Sequence, residues 1–309
     1  MTEIYDVAIV GAGAGGMTTA IYASRAGLKV ALIERGLYGG QLHNTDVVDN
    51  YTGFTSVQAT TLASSMEAHV DAQNNIEKIY ADIKEVHKKD NTFSLVTRKD
   101  TIESKSVVIG TGVKHKKLNI PGEDEYDGRG ISYCAVCDGN FFMGKHVAVV
   151  GGGDSAVESA IYLANIVDKV TLIHRRRELR ADKILQDRLF SLPNVEVIWN
   201  AKPCKFIGDD AKVRHIQLVD SDTGLMKGIN IDGVFVYIGM LPVSKPFENL
   251  GIVDEEGFIV TDSRMATSES GVFAIGDVRS DSIRQVVSAT GDGAMASESV
   301  VKYLQERNL

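Results

Sequence analysis

Tyr5-Asp-Val-Ala-Ile-Val-Gly11-Ala-Gly13-Ala-Gly-Gly16 decides the fold of this chain. The apolar run Tyr5 to Val10 reads as a strand. Three glycines follow in G-x-G-x-x-G spacing, then an Ala-rich helix from about Met17 to Ala26, then a second strand from Lys29 to Glu34. Strand, glycine turn, helix and strand in that order begin a doubly wound parallel sheet. Gly11, Gly13 and Gly16 permit a tight turn and let the backbone approach a pyrophosphate, which then rests on the helix N-terminus. Glu34, 23 residues after Gly11, ends the second strand, where an acid receives ribose hydroxyls.

The same grammar recurs 140 residues later. Strand His146 to Val150 leads to Gly151-Gly-Gly153 with Ala156 in the third glycine's place, then a helix from Ser155 to about Asn165 and a strand from Lys169 to His174. Counting 23 residues from Gly151 reaches His174. The acid is replaced by His174-Arg175-Arg176, with Arg180 about a turn later; these basic groups suit a 2′-phosphate that a carboxylate would repel. Arg177 alternates away from them and reads as a solvated charge. The first site is therefore expected to take an unphosphorylated adenosine and the second NADP(H).

The fold class expected is α/β, with two Rossmann-like dinucleotide-binding domains. Thr92 to Thr97 and Ser106 to Ile109 read as strands of the first domain, and the second ends near Val234 to Ile238. The remainder, Gly271 to Asp277 and a helix from about Gln285 to Tyr303, has too little sheet to fold alone. It should return to the first domain. The boundaries expected are 1–115 and 244–309 for the first domain, with 116–243 inserted between them.

Cys134-Ala-Val-Cys137 lies just upstream of the second glycine turn and is followed by Asp138. A zinc knuckle wants a second such pair or two histidines, and Cys204 stands alone. Redox use is the better reading, with one cysteine attacking as thiolate and the other resolving. Asp138 would protonate the leaving sulfur if burial raised its pKa. Cys204 reads as an inert, partly buried thiol. Gly276-Asp277 places an acid directly after an apolar strand, where it would meet ribityl hydroxyls or cap a helix. Electron counting joins these parts. NADPH gives a hydride, a disulfide is a poor direct hydride acceptor, and a flavin mediates between them. FAD is therefore expected in the first site.

The chain has 309 residues and a net charge of −8, the opposite of a basic nucleic-acid binder. No apolar run approaches the roughly 20 residues of a membrane span. The first apolar stretch is interrupted by Asp6 and has no Lys or Arg before it, so no signal peptide and a cytoplasmic location are expected.

In family order, Gly11 to Gly16, Gly39-Gly40-Gln41, Cys134-Ala-Val-Cys-Asp138, Gly151-Gly-Gly-Asp154-Ser155, His174 to Arg176 with Arg180, and Gly276-Asp277 through Arg284-Gln285 resemble the low-molecular-weight, bacterial-type thioredoxin reductases. The resemblance implies a homodimer, bound FAD, NADPH as reductant and thioredoxin as protein substrate. It implies Cys137 as the sulfur nearest the flavin, Cys134 as the sulfur that meets thioredoxin, and Asp138 as acid/base. Arg35, Gly40, Gln41, Asn50, Arg284 and Gln285 would join the FAD site, and Asp154 and Ser155 the NADPH site. It also implies alternation between two domain orientations, with hinges near 114–117 and 239–244. Another thioredoxin-fold acceptor, glutaredoxin-like or peroxiredoxin-linked, is the nearest alternative. A nucleotide-sensing or zinc-binding protein without catalysis is the reading from a different class.

Overall fold

The computed structural model describes residues 4–44, 47–48 and 50–309, and the side chains of Asn44, Val136 and Cys137 lie outside the described set. The chain divides into two compact units, Met1–Lys114 with Leu241–Leu309, and His115–Met240.

The first unit is built on a five-stranded parallel sheet in the order Val272–Ala274, Val107–Ile109, Val7–Val10, Val30–Glu34, Ile76–Tyr80. Its central strands are near-continuous apolar runs because both faces are covered. Alternate residues choose the face. Val7, Ile9, Val30 and Leu32 pack with Met17 and Ala20 of helix Ala14–Arg25 and with Ala296 and Val300 of helix Val286–Glu306. Ala8, Val10, Ala31 and Ile33 pack instead against Val86, Phe93, Leu95 and Ile102. Those belong to a second, four-stranded sheet ordered Ile4–Tyr5, Thr101–Ser104, Thr92–Val96, Glu85–Lys89. The two helices approach closely because both carry glycine at the crossing. A Cβ on Gly293 would lie 2.4 Å from the Gly15 carbonyl oxygen, and one on Gly15 would lie 2.8 Å from that of Ala289. Gly291, by contrast, has nothing within 4 Å of a built Cβ and plays no part in this contact.

One strand reading changes. The run expected as one strand from Tyr5 to Val10 is two, Ile4–Tyr5 and Val7–Val10, in different sheets. Asp6 makes the break: its Oδ2 accepts the Lys29 N–H at 2.8 Å and its Oδ1 pairs with Lys105 Nζ at 2.7 Å. Thr92–Val96 and Val107–Ile109 are strands of the first unit, as expected, and belong to its two different sheets.

The second unit repeats the plan. Its parallel sheet runs Ile131–Ser132, Gly233–Tyr237, His146–Gly151, Lys169–Ile173, Val195–Ile198. Val147, Val149, Val170 and Leu172 face Val157, Ala160 and Ile161 of helix Asp154–Ala164 and Leu189 of helix Lys183–Phe190. Ala148, Val150 and Val236 face Phe206, Ile216 and Leu218. The latter come from a three-stranded antiparallel sheet, Ala201–Gly208, Val213–Asp220, Met226–Asn230. In such layered sheets, ligands bind outside the carboxyl ends of the parallel strands. Both glycine turns lie there. Among the described residues no helix is long and apolar enough to cross a membrane.

Candidate functional site: two glycine turns and a cysteine helix

The first turn requires its glycines. Gly11 has φ +105°, and a Cβ there would lie 2.3 Å from the Gly110 carbonyl oxygen. A Cβ on Gly16 would lie only 1.8 Å from the Gly11 oxygen. Gly13 differs: nothing lies within 4 Å of its built Cβ, and it caps helix Ala14–Arg25 without any side-chain hydrogen bond. The first N–H groups of that helix have no intrahelical acceptor and so present a site for an anion. Glu34 is held by three backbone donors, its Oε2 accepting Ala12 N–H at 2.9 Å and its Oε1 accepting Arg35 N–H at 2.8 Å and Gly36 N–H at 2.9 Å. Arg35 itself is exposed. Gly40 packs onto this turn, its built Cβ 3.1 Å from Gly13 Cα.

A second group in the same unit gathers at the start of helix Val286–Glu306. Asn50 Nδ2 donates to Gln285 Oε1 at 2.9 Å, while Gln41 Nε2 donates to the Val113 carbonyl at 2.8 Å. The Gly276 N–H donates to Asp292 Oδ2 at 2.9 Å, fixing the Gly276–Asp277 turn. Asp292 also pairs at 2.7 Å with Arg279, both side chains being largely buried. Burial raises the Asp277 carboxyl pKa, partly offset by the Arg284 cation. Arg284 has φ +56°, and its guanidinium stands 5.4 Å from the Phe258 ring centroid. The Asp292–Arg279 clamp was not anticipated. Its signal is faint: one acid in the first turns of a helix otherwise made there of small residues.

The second turn has the same open cap but a different floor. Gly153 has nothing within 4 Å of a built Cβ and caps helix Asp154–Ala164 without a side-chain bond. Gly151 must stay a glycine because a Cβ would lie 2.4 Å from the Tyr237 carbonyl oxygen. His174 is buried directly beneath, so that a Cβ on Gly152 would lie 2.2 Å from its Nδ1. Facing the Gly151 carbonyl at 2.9 Å, Nδ1 must carry the proton, since a carbonyl only accepts. Its Nε2 is buried without a well-formed hydrogen bond. Burial lowers the His174 pKa, keeping the ring neutral. The histidine therefore supports the turn, buried, while the arginines that follow it in sequence are exposed.

Arg175, Arg176 and Arg180 are all exposed. The Arg180 N–H donates to the Gly152 carbonyl at 2.7 Å, tying that residue to the turn. Arg177 is committed elsewhere, 2.8 Å from Asp222. Asp154 Oδ1 accepts the Asp182 N–H at 2.7 Å, and Ser155 beside it is exposed.

Cys134 is disulfide-bonded and precedes the short helix Ala135–Asp138. The side chain of Cys137 lies outside the described residues. Two groups hold the start of this helix. The Cys134 N–H donates to Ser132 Oγ at 3.0 Å, and the Ala135 N–H donates to the Tyr237 hydroxyl at 2.7 Å. Ser132 Oγ in turn donates to Asp138 Oδ2 at 2.6 Å. Burial raises the Tyr237 phenol pKa, so it stays protonated. Neither Ser132 nor Tyr237 was singled out from the sequence: a serine two residues before a cysteine is an ordinary neighbour, and Tyr237 is brought to the cysteine helix only by the sheet. Cys204 is free and half-buried, its Sγ 3.3 Å from the Gln217 carbonyl. Among the described residues no group of three or more His, Cys, Asp or Glu is placed to hold a metal.

Two nucleotide-type glycine turns, each in its own three-layer unit, and a disulfide in the second define a disulfide oxidoreductase of the two-nucleotide class. The model of the pyridine nucleotide-disulphide oxidoreductase family matches residues 5–293. A thioredoxin reductase of Bacillus subtilis is 49% identical over 304 residues, 98% of this chain and 96% of that one. One from Treponema pallidum is 41% identical at 98% of each. The crystal structure of Lactococcus lactis thioredoxin reductase in its FR conformation matches with TM-score 0.87 and 41% identity, covering 98% of this chain and 99% of that one. The chain belongs to the pyridine nucleotide-disulphide oxidoreductases and, within them, to the bacterial-type thioredoxin reductase family.

Proposed function

We propose that this protein is an NADPH-dependent, FAD-containing thioredoxin-disulfide reductase, a cytoplasmic homodimer. Residues 1–115 and 244–309 bind FAD; residues 116–243 bind NADPH and carry the Cys134/Cys137 pair. The observation that carries the reading is the disulfide at Cys134 in the same unit as a glycine turn flanked by three exposed arginines.

The residues present fit both nucleotides. Gly13 and Gly153 leave open space where a side chain would stand, above uncapped helix N-termini that suit pyrophosphates. Glu34, held by backbone N–H groups, is aimed to receive adenosine ribose hydroxyls. Arg175, Arg176 and Arg180 give the positive field a 2′-phosphate needs, with Asp154 and Ser155 at the adjoining helix start. Arg35, Gly40, Gln41, Asn50, Gly276, Asp277, Arg284 and Gln285 border FAD. Bound FAD supplies a centre able to exchange an electron pair with nicotinamide and with a disulfide. Cys137 would be the sulfur that exchanges electrons with that centre, and Cys134 would attack the thioredoxin disulfide. Asp138 holds the proton that the departing sulfur needs. Phe141 and Met143, 73% and 66% exposed just after the cysteine helix, offer apolar surface of the kind a protein substrate covers.

The test is spectroscopic. The purified protein should be yellow and should bleach anaerobically with NADPH far more readily than with NADH. A Cys134→Ser variant should still bleach yet fail to reduce thioredoxin; continued turnover of thioredoxin would overturn the sulfur roles.

A further inference from the structure

Ser132 lies at the end of the edge strand Ile131–Ser132, 6% exposed, and a single oxygen serves three partners. Its Oγ accepts the Cys134 N–H at 3.0 Å, lies 2.6 Å from Asp138 Oδ2 and lies 3.2 Å from the Cys134 carbonyl oxygen. A hydroxyl has one hydrogen to give and two lone pairs to receive. With Asp138 ionised, the hydrogen points to Oδ2. With Asp138 protonated, the carboxyl donates to Oγ and the serine hydrogen turns to the Cys134 carbonyl. Every polar group stays paired in both states, and no heavy atom has to move.

We infer that Ser132 is a positioning residue that keeps Asp138 in one place through both of its protonation states during dithiol–disulfide exchange. The inference rests on the acid role proposed for Asp138. In the exchange, the Cys134 thiolate attacks one sulfur of the thioredoxin disulfide. A new S–S bond forms as the old one breaks, and the departing sulfur takes the Asp138 proton. Cys137 then attacks the mixed disulfide at Cys134, its thiol proton passing to the second departing sulfur. Two electrons have left the enzyme dithiol, thioredoxin holds two thiols, and Asp138 is a carboxylate that Ser132 now stabilises. Tyr237 also faces Asp138 but stays neutral and does not compete for the charge.

The experiment is steady-state reduction of thioredoxin by the flavin-loaded enzyme, with flavin absorbance checking that each variant is folded. Ser132→Ala should lower kcat about tenfold with KM for thioredoxin within about twofold, the mark of an interaction used in the transition state. Ser132→Thr, which keeps the hydroxyl, should recover most of the loss. Asp138→Asn should cost about 100-fold, and adding Ser132→Ala to it should cost nothing more. Wild-type turnover in Ser132→Ala overturns the inference. So do losses that multiply in the double variant, or a threonine variant no better than alanine. Wild-type turnover in Asp138→Asn alone sinks the acid role itself, a failure seen without touching Ser132.

Discussion

The two glycine turns are built to one pattern and finished with opposite chemistry. In each, the residue 23 positions after the first glycine reaches back to the turn, but Glu34 accepts an N–H from Ala12 whereas His174 donates to the Gly151 carbonyl. The slot first braces the turn, with a carboxylate in one unit and a neutral imidazole in the other. Charge toward a ligand is then a separate matter. On the proposed function Glu34 would supply it in the first unit, while in the second it would pass to the exposed Arg175, Arg176 and Arg180. A residue's place in a motif thus states which backbone group it must satisfy before it states which ligand it meets.

The sharpest way to break this comparison is to exchange the third small residue. Gly16→Ala drives a methyl into the Gly11 oxygen at 1.8 Å, whereas the second turn already carries Ala156. We expect Gly16→Ala to cost at least about 3 kcal/mol and to abolish flavin retention. Ala156→Gly should cost only about 0.5–1 kcal/mol. Thermal unfolding with flavin content measures both. Next comes the charge. Replacing Arg175 and Arg176 together by alanine removes two charge-assisted contacts and should raise KM for NADPH about 100-fold, with KM for NADH little changed. Arg177→Ala, already tied to Asp222, should shift either constant less than about twofold.

Bracing is a smaller effect. Glu34→Ala strips the acceptor from the buried Ala12 N–H and should cost about 1–3 kcal/mol, read as a fall of about 2–4 °C in Tm per kcal/mol. Were the glutamate only a ligand for ribose, the apoprotein would lose nothing. The smallest effect is the response to pH. Burial lowers the pKa of His115, His146 and His174, all in the second unit. Each contributes stability that is present above the ordinary histidine value of 6.5 and lost as pH falls toward its folded value. Asp277 in the first unit is raised, so its contribution has the opposite sign and is lost as pH rises through its folded value. Hydrogen-exchange protection factors, taken relative to intrinsic exchange at each pH, should therefore fall in 146–173 between pH 7.5 and 5.5 more than in 7–33. An equal fall in both segments would refute the assignment of the buried histidines.

The α/β class and both turns were legible because glycine at fixed offsets between an apolar strand and a helix has few other uses. The sheet change at Asp6 was not, since a polar residue inside an apolar run looks like ordinary alternation until its backbone and lysine partners are known. Cys134 and Asp138 announce themselves by spacing; Ser132, two residues before Cys134, is near in sequence but carries no signal of its own, and Tyr237 reaches them only through parallel pairing of strands a hundred residues apart. Asp292 and Arg279 gave only a faint signal, because their pairing depends on how a turn folds back against the helix that follows it. What sequence conveys well is local geometry with a chemical purpose; what it conveys poorly is support delivered across a sheet.

The strand Val272–Ala274 that completes the first parallel sheet, beside Val107–Ile109, has a consequence for synthesis. The second unit is contiguous, so all its strands are available once residue 240 has left the ribosome. The first unit, although begun earlier, must wait for that edge strand and for the helix that packs on Ala14–Arg25. Nascent chains should therefore acquire protease resistance in the middle before either end, and the first unit should be last to mature.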